Sequence, residues 1–429
     1  MKLLYIGDNS DSLNLGCRAT SIALRQLAEQ HAELIGPVPT RMIQARWPVS
    51  DRIGDAAYGQ LAKLFNRNKV RALPLAGPAI GAVMDALGTR DAITHDLARN
   101  ADALMRAQAY SADARALVLW LEECDGALVN GEGDLIFGTP ARQRLLFILT
   151  LCDMLQQRGK TLFYLNAMAS PAPGQDPDAE TLAVADEVLA RADAFALRDP
   201  VSLDFARQHL PRAGAKAAMF PDAVFAWAED LNSEEFLRQR EVVQRFLADH
   251  GVDPAAGYIL VGGSSRAAHD KPRAAAAFPG LVAALRECGL PVVLQPACNG
   301  DSFLEAVARE TGAPLFPIAS PIRAHVALLG EASLYVSGRW HPSIMAALGG
   351  TPCVFMGSNS HKMIALQHQL GYADPHEYDP WPSAADSAAM AAEASELLAR
   401  GAALRRSIRQ RAAVLGAEAR KSVAALQTG

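Results

Sequence analysis

The run Ala332-Ser333-Leu334-Tyr335-Val336-Ser337-Gly338 leads into Arg339-Trp340-His341-Pro342-Ser343-Ile344-Met345-Ala346-Ala347-Leu348 and then Gly349-Gly350-Thr351-Pro352-Cys353-Val354-Phe355-Met356. It reads as a buried strand, a turn carrying Arg and His, a short helix and a second strand. Units of this kind build a parallel α/β sheet. The turn then sets a fixed cation and a titratable imidazole on the rim of that sheet, beside a helix N-terminus. A corner so built can bind a phosphate or carboxylate and move a proton.

The same alternation extends in both directions. Upstream, Tyr258–Gly262 and Pro291–Leu294 read as strands of the same unit. Further back, Lys2–Gly7, Ala32–Ile35, Gly126–Val129, Thr161–Leu165 and Ala194–Leu197 alternate with helical patterns at 19–27, 140–157 and 179–192. Pro221–Phe225 closes this first set, and the charged stretch from Glu229 to Arg245 reads as a linker and helix. Residues from about 50 to 120 are helical in pattern, rich in Ala and Arg, and read as an insertion. Within it, Tyr58–Arg71 is a basic amphipathic stretch, taken as a solvated helix face with a membrane-surface or acceptor contact as the alternative. From Ser383 onward the chain is Ala-rich, with charges at helical spacing, and reads as one or two long helices packing back across the molecule.

With 429 residues the chain exceeds the usual size of one core. The expected division is a first α/β domain over 1–230 with the insertion at about 50–120, a second over 231–385, and a helical tail over 386–429. Two such halves leave a cleft between the carboxyl ends of their sheets, where open α/β sheets place ligands.

Half of the residues are apolar and a fifth are charged, with a formal net charge of -5. That balance argues against a dedicated nucleic-acid partner. Cys17, Cys124, Cys152, Cys288, Cys298 and Cys353 are scattered, with no CxxC pair, and read as reduced, mostly buried thiols in a cytoplasmic protein. The start of the chain is too short in its apolar run for a signal peptide, and no segment approaches the ~18 continuous apolar residues of a spanning helix. No DxD-type pair or Cys/His cluster suggests a metal, so neither metal nor cofactor is expected.

Several strand-end loops carry candidate groups. Asn14-Leu15-Gly16-Cys17-Arg18 combines free N–H groups at a helix start with a cation. Asn130-Gly131-Glu132-Gly133-Asp134 follows a strand, and its glycines suggest backbone of positive φ around a carboxylate; such acids either face water in a plain turn or grip sugar hydroxyls and act as a base. In Leu197-Arg198-Asp199-Pro200-Val201-Ser202, Asp199 fits an N-cap and Pro200 the first helical turn, which leaves Arg198 to point into the cleft or an ion pair. Gly262-Gly263-Ser264-Ser265-Arg266 and Gly357-Ser358-Asn359-Ser360-His361-Lys362 add polar groups and cations. In the opening run, Pro342 suits a first helical position, with His341 near the cap and Ser343 in the first turn. All of these loops fall on the same edge of their sheets.

Taken together these residues resemble the polysaccharide pyruvyl transferases. The matching pieces are Asn14-x-Gly16, Asn-Gly-Glu-Gly at 130–133, Arg198-Asp199 with Ser202, Pro221-Asp222, Arg339-x-His341 and the Gly350-Thr351-Pro352 turn, spread from about residue 5 to 365. The chain departs from the pattern at Cys17-Arg18, where many members carry an acidic residue, and in a second loop less rich in Gly. The resemblance implies two Rossmann-like domains facing each other in the glycosyltransferase-B manner. It implies phosphoenolpyruvate as donor co-substrate and a sugar of a surface polysaccharide, or of its lipid-linked precursor, as acceptor. Arg339 would then bind the donor's carboxylate or phosphate, His341 would act as general acid or donor ligand, and Arg198 would add charge. Asn14, Gly16, Arg18, Asn130, Gly131, Glu132, Ser264, Arg266, Ser343 and Lys362 complete the expected substrate-binding set. Such a protein would work in the cytoplasm, with peripheral contact at the inner face of the membrane left open. The competing reading is a glycosyltransferase of the same architecture using a nucleotide-activated sugar, with Arg339 and Lys362 on the diphosphate. A non-catalytic glycan-binding protein is the third.

Overall fold

The computed structural model describes residues 1–43, 47–65, 76–88 and 93–427. Among the described residues twelve strands carry the architecture. The first six-stranded sheet is wholly parallel and runs β2-β1-β3-β5-β7-β8, from β1 (Lys2–Asp8), β2 (Glu33–Pro39), β3 (Gly126–Asn130), β5 (Thr161–Ala167), β7 (Ala194–Leu197) and β8 (Ala218–Met219). The second, also parallel, runs β10-β9-β11-β12, from β9 (Ile259–Ser264), β10 (Val292–Gln295), β11 (Leu334–Gly338) and β12 (Cys353–Phe355). Both sheets step outward in one direction and then reverse, so each has a switch point: between β1 and β3 in the first, between β9 and β11 in the second. There the loops leaving neighbouring strands diverge and open a crevice at the carboxyl ends.

The strands are apolar on both faces because helices cover both faces of a parallel sheet. Lys2–Asp8 is buried at every position but the first, and Gly126–Asn130 throughout. The expected strands and helices are present with small changes of end. β2 runs on to Pro39, and the helix expected over 19–27 begins at Leu15, capped by Asn14. A two-stranded parallel pair escaped the sequence reading: β4 (Leu135–Phe137) and β6 (Ala169–Pro171). Both are too short to show a period. Within 50–120 the described helices are Asp55–Phe65, Ala76–Ala86, Leu97–Ala107 and Ala112–Glu123. The basic stretch is described only as far as Phe65; its remainder lies outside the described residues.

The tail is two helices, Ala384–Ala399 and Gly401–Arg420, divided at Gly401, whose φ is 52°. The first packs on the Lys271–Arg286 helix of the second half, and the second crosses to the 3₁₀ segment Ala223–Asn232 of the first. One apolar cluster therefore runs from Leu3, Tyr5 and Leu128 through Trp227 to Leu260, Tyr335 and Ile344, and on to Ile408 and Leu415. Polar contacts also tie the halves: Leu15 N–H donates to the Ala297 carbonyl at 2.7 Å, and the Gln369 amide donates to the Arg198 carbonyl at 2.8 Å. Trp340–Gly349, the helix of the opening run, lies so close to the Ile322–Glu331 helix that a Cβ at Gly349 would stand 2.1 Å from the Gly330 carbonyl oxygen. Backbone contact of that kind fixes the pitch of the helix and so the place of its first turn. No described helix is long and apolar enough to cross a membrane.

Candidate active site

The two switch points face each other across a cavity of about 290 Å³. Asn14, Gly16, Cys17, Glu132 and Asp134 line it from the first; Ser265, Arg339 and His341 line it from the second, with Asn359 and Lys362 from the loop after β12. Arg142, Arg144 and Arg198 complete a wall with far more cations than acids.

Each side chain is positioned by its element. Arg339 follows β11 and is the N-cap of the Trp340–Gly349 helix, so His341 and Pro342 both fall inside the first turn rather than at its cap. The Arg339 guanidinium is paired with the buried Asp301, while its own Nε–H has no partner in the protein. Burial works against the charge on Arg339, but Asp301 and Cys298 outweigh it and hold the guanidinium firmly protonated. Arg198 follows β7 and is 3% exposed; its Nη1 donates to Asp222 at 3.1 Å, its guanidinium carbon lies over the Trp340 ring at 5.2 Å from the centroid, and among the described residues its Nε–H is also unpartnered. Leaving a buried donor unmet costs about 1–3 kcal/mol, and Arg144 on the same wall has an unmet Nε–H as well.

Asp222 organises the corner. Its Oδ2 lies 3.2 Å from His341 Nε2 and 3.3 Å from the Trp340 indole nitrogen. Burial would raise the Asp222 pKa, yet the neighbouring His341 and Arg198 hold it far below the usual carboxylate range. His341 Nε2 is thus engaged on the buried side, 3.2 Å from Asp222 Oδ2 and 3.2 Å from Arg198 Nη1, which leaves the other ring nitrogen, Nδ1, turned to the first half. That atom abuts Gly16: a Cβ there would stand 2.4 Å from Nδ1. The orienting logic is that of an acid–base histidine fixed by a buried carboxylate.

Opposite, Glu132 has φ 34°, one of two described non-glycine residues in the left-handed region. The sequence suggested positive φ for the glycines of this loop; the strain sits on the carboxylate residue itself. Hydrogen bonds from Gly131 N–H to Leu165 and from Met168 N–H to the Glu132 carbonyl, at 2.8 and 2.7 Å, hold it there. Cys17 Sγ donates to Glu132 Oε1 at 2.8 Å and Asn9 Nδ2 donates to Oε2 at 3.1 Å. Among the described residues Glu132 makes no ion pair. Asp134 does, with Arg144 at 2.8 Å; even so, burial takes its pKa up to about 6 against the lowering effect of Arg144. Burial and the adjacent Glu132 push the Cys17 thiol far up, which keeps it a neutral donor. Lys362 has one hydrogen bond, to Asn359 Oδ1 at 2.8 Å; burial, then Arg339 and Arg198, lower its pKa to about 7.

Of the residues singled out from the sequence, Arg339, His341, Arg198, Asn14, Gly16, Glu132 and Lys362 meet at this cavity. Others sit elsewhere. Arg18 turns to the second half and donates to the Ser320 carbonyl at 3.1 Å. Asn130 is buried in a network with Ser21 and Asn166, and Gly131 backs onto Tyr164 and Ala167. Ser264 donates to the Gly357 carbonyl, and Ser343 to the Arg339 carbonyl at 2.8 Å, both inside the structure. Arg266 lines an adjoining groove. Arg142 and Arg144 were missed because the helical period over 140–157 absorbed them. Asp301 carried no signal at all in the sequence.

A pair of parallel α/β sheets with a cation-rich pocket between their switch points is the glycosyltransferase-B architecture. The family model "Polysaccharide pyruvyl transferase" matches residues 14–360, and the chain belongs to that family. Among solved structures, UDP-GlcNAc 2-epimerase from Neisseria meningitidis bound to UDP-GlcNAc superposes with a TM-score of 0.54 at 10% identity, covering 100% of both chains, which is a likeness of fold. A UGT transferase from Siraitia grosvenorii in complex with UDP gives a TM-score of 0.46 at 12% identity over 100% of this chain and 98% of that one. No curated protein sequence matches the chain.

Proposed function

We propose that the protein moves the pyruvyl group of phosphoenolpyruvate onto hydroxyls of a sugar in a surface polysaccharide or its lipid-linked precursor, forming a ketal. The observation that carries this is the pair of buried guanidiniums, Arg198 and Arg339, each with an unmet Nε–H, on the wall of one small cavity. Phosphoenolpyruvate is a compact molecule with anions at both ends, a phosphate and a carboxylate. Two arginines and Lys362 match that distribution, Arg through its planar fork and Lys as a point charge.

The chemistry needs a proton for the enol methylene, a proton acceptor for each attacking hydroxyl, and stabilisation of the departing phosphate. His341 supplies the first from Nδ1, and the methylene becomes a methyl group as C2 turns electrophilic. A sugar hydroxyl adds to C2 and gives its proton to Glu132, whose two oxygens are oriented by Cys17 and Asn9. The C–O bond to phosphate then breaks, with the electron pair leaving on phosphate beside the cationic wall, and the second hydroxyl closes the ketal. Of the two hydroxyl protons, one balances the new methyl hydrogen and the other departs with hydrogen phosphate.

The test is to offer the purified protein phosphoenolpyruvate or nucleotide sugars together with candidate glycans and to follow the released group. Release of inorganic phosphate with a ketal pyruvate on the glycan is expected. Nucleotide release with no turnover of phosphoenolpyruvate would sink the reading.

A further inference from the structure

Beside the anion cavity lies a second space, an open groove of about 910 Å³. Its walls come from the Ser170–Asp176 segment of the first half and from Arg266, His269, Ser358–His361 and Trp381 of the second. Asn359 lines both spaces, and its Oδ1 accepts from Lys362 and from Ser265. Met168 on the cavity wall lies 3.6 Å from the Ser360 hydroxyl on the groove wall. The groove therefore adjoins the catalytic corner at Asn359.

Its chemistry differs from that of the cavity. The Pro171-Ala172-Pro173 strip and the Trp381 ring give apolar surface, while Ser170, Gln175, Asp176, Ser358, Ser360 and His361 give hydroxyl, amide, carboxylate and imidazole groups. Alternating apolar faces and hydroxyl-binding groups is the pattern a sugar ring itself presents. One group points to a ligand independently: Ser170 is 2% exposed, yet its hydroxyl has no hydrogen-bond partner among the described residues. His361 is held in place, its Nε2 lying 3.1 Å from the buried Asp199. Its ring is set by a contact between the halves, so this wall is fixed before any ligand arrives.

We propose that this groove is the acceptor subsite, and that it holds an oligosaccharide end-on, with the terminal sugar carried past Asn359 to Glu132 and His341. The inference rests on the pyruvyl-transfer reading for the identity of the reaction, and adds to it the place and class of the acceptor. Size supports a chain over a single sugar, because ligand pockets of roughly 300–1,000 Å³ take molecules from the scale of the donor to that of several rings. The groove is near the upper bound, and the cavity near the lower.

Binding of glycans is measured directly, without turnover. Saturation-transfer NMR is run on the full chain with methyl glycosides of glucose, galactose, mannose and N-acetylglucosamine, and with lactose, cellotetraose and maltotetraose. Phosphoenolpyruvate binding is measured separately by calorimetry. At least one sugar should receive saturation. Its affinity should fall by about tenfold or more in Trp381→Ala and in Ser360→Trp, which obstructs the groove. Ser170→Ala should give a smaller loss, and phosphoenolpyruvate affinity should stay within about twofold of wild type in all three. Thermal unfolding of each variant identifies any that fails to fold, and Ser170→Ala removes only one oxygen. No saturation of any sugar, or sugar binding that survives both Trp381→Ala and Ser360→Trp, overturns the proposal. Loss of phosphoenolpyruvate binding with sugar binding intact would instead count against the donor reading and leave the groove standing.

Discussion

The two switch points have the same strand order and opposite chemistry. At the β1/β3 crevice the chain presents Glu132 and Asp134, an unpaired carboxylate and a paired one. At the β9/β11 crevice it presents Arg339 and His341, with Lys362 next to them. Topology alone places a ligand at each crevice; the side chains decide what each can do. In the proposed reaction the second half holds the anion and delivers a proton, and the first takes one away. The first half also contributes cations: Arg142 and Arg144 stay with its own loop, on the Gly133 carbonyl and Asp134, whereas Arg198 is bound to the same Asp222 that orients His341 and so belongs to the anion side.

The largest effect should come from the anion side. Replacing Arg339 or Arg198 by Ala should lower turnover by about a thousandfold or more, the scale expected when a preorganised charge partner is lost. Arg339→Lys should recover little, since a point charge cannot serve both Asp301 and a planar anion. Steady-state phosphate release checks both. Residual activity within tenfold of wild type would place the donor elsewhere. Removing either arginine also takes the paired guanidinium from a buried carboxylate, Asp301 or Asp222, so a fall in unfolding temperature accompanies the loss.

Next comes the acid side. Glu132→Gln keeps shape and removes basicity, and should reduce kcat by about 10²–10⁴ while leaving phosphoenolpyruvate affinity nearly unchanged. A variant with normal kcat would reduce the first crevice to a structural turn. The contact between the crevices is probed by Gly16→Ala. Its Cβ would press on His341 Nδ1, and displacement of a proton-donating atom should cost turnover by about tenfold to a hundredfold. Unchanged rates would show that Nδ1 is not the atom that matters.

The smallest effect concerns Lys362. Its folded pKa, about 7, is below that of an ordinary lysine, so the unfolded chain binds the proton more tightly. The cost of burying it is complete below about pH 7 and declines as pH rises from there toward the usual lysine range. Lys362→Met should therefore raise the unfolding temperature most near pH 6, with the gain shrinking by about pH 9. An anionic donor favours the protonated form, so its affinity in wild type should weaken as pH rises through about 7, and this dependence should vanish in Lys362→Met. Thermal scans and calorimetry across that range measure both.

Much of the comparison is legible in the chain itself, for a physical reason. Strands buried on both faces are short apolar runs, and chemistry collects in the polar loops at their ends, so Arg339, His341, Arg198 and Glu132 stand out without a structure. Direction is what sequence withholds. Ser264 and Ser343 are hydroxyls in the right loops that turn to backbone carbonyls, and Arg18 sits one residue beyond the cavity wall and reaches the other way. Long-range pairing is withheld too. Asp222 matched a family motif, but its grip on His341, Arg198 and Trp340 joins three separate strand ends, which no local pattern encodes. Asp301 lies in the Asn299–Asp301 turn, whose only role visible from sequence is to turn.

In the proposed reaction the cationic crevice takes phosphoenolpyruvate. Calorimetric titration of the wild-type protein and of Arg339→Ala with phosphoenolpyruvate, beside a UDP-sugar, tests it most directly. Saturable binding of phosphoenolpyruvate to the wild type, abolished in the folded Arg339→Ala variant and not competed by the UDP-sugar, is the predicted result. A wild-type protein that binds the UDP-sugar and not phosphoenolpyruvate would contradict the account.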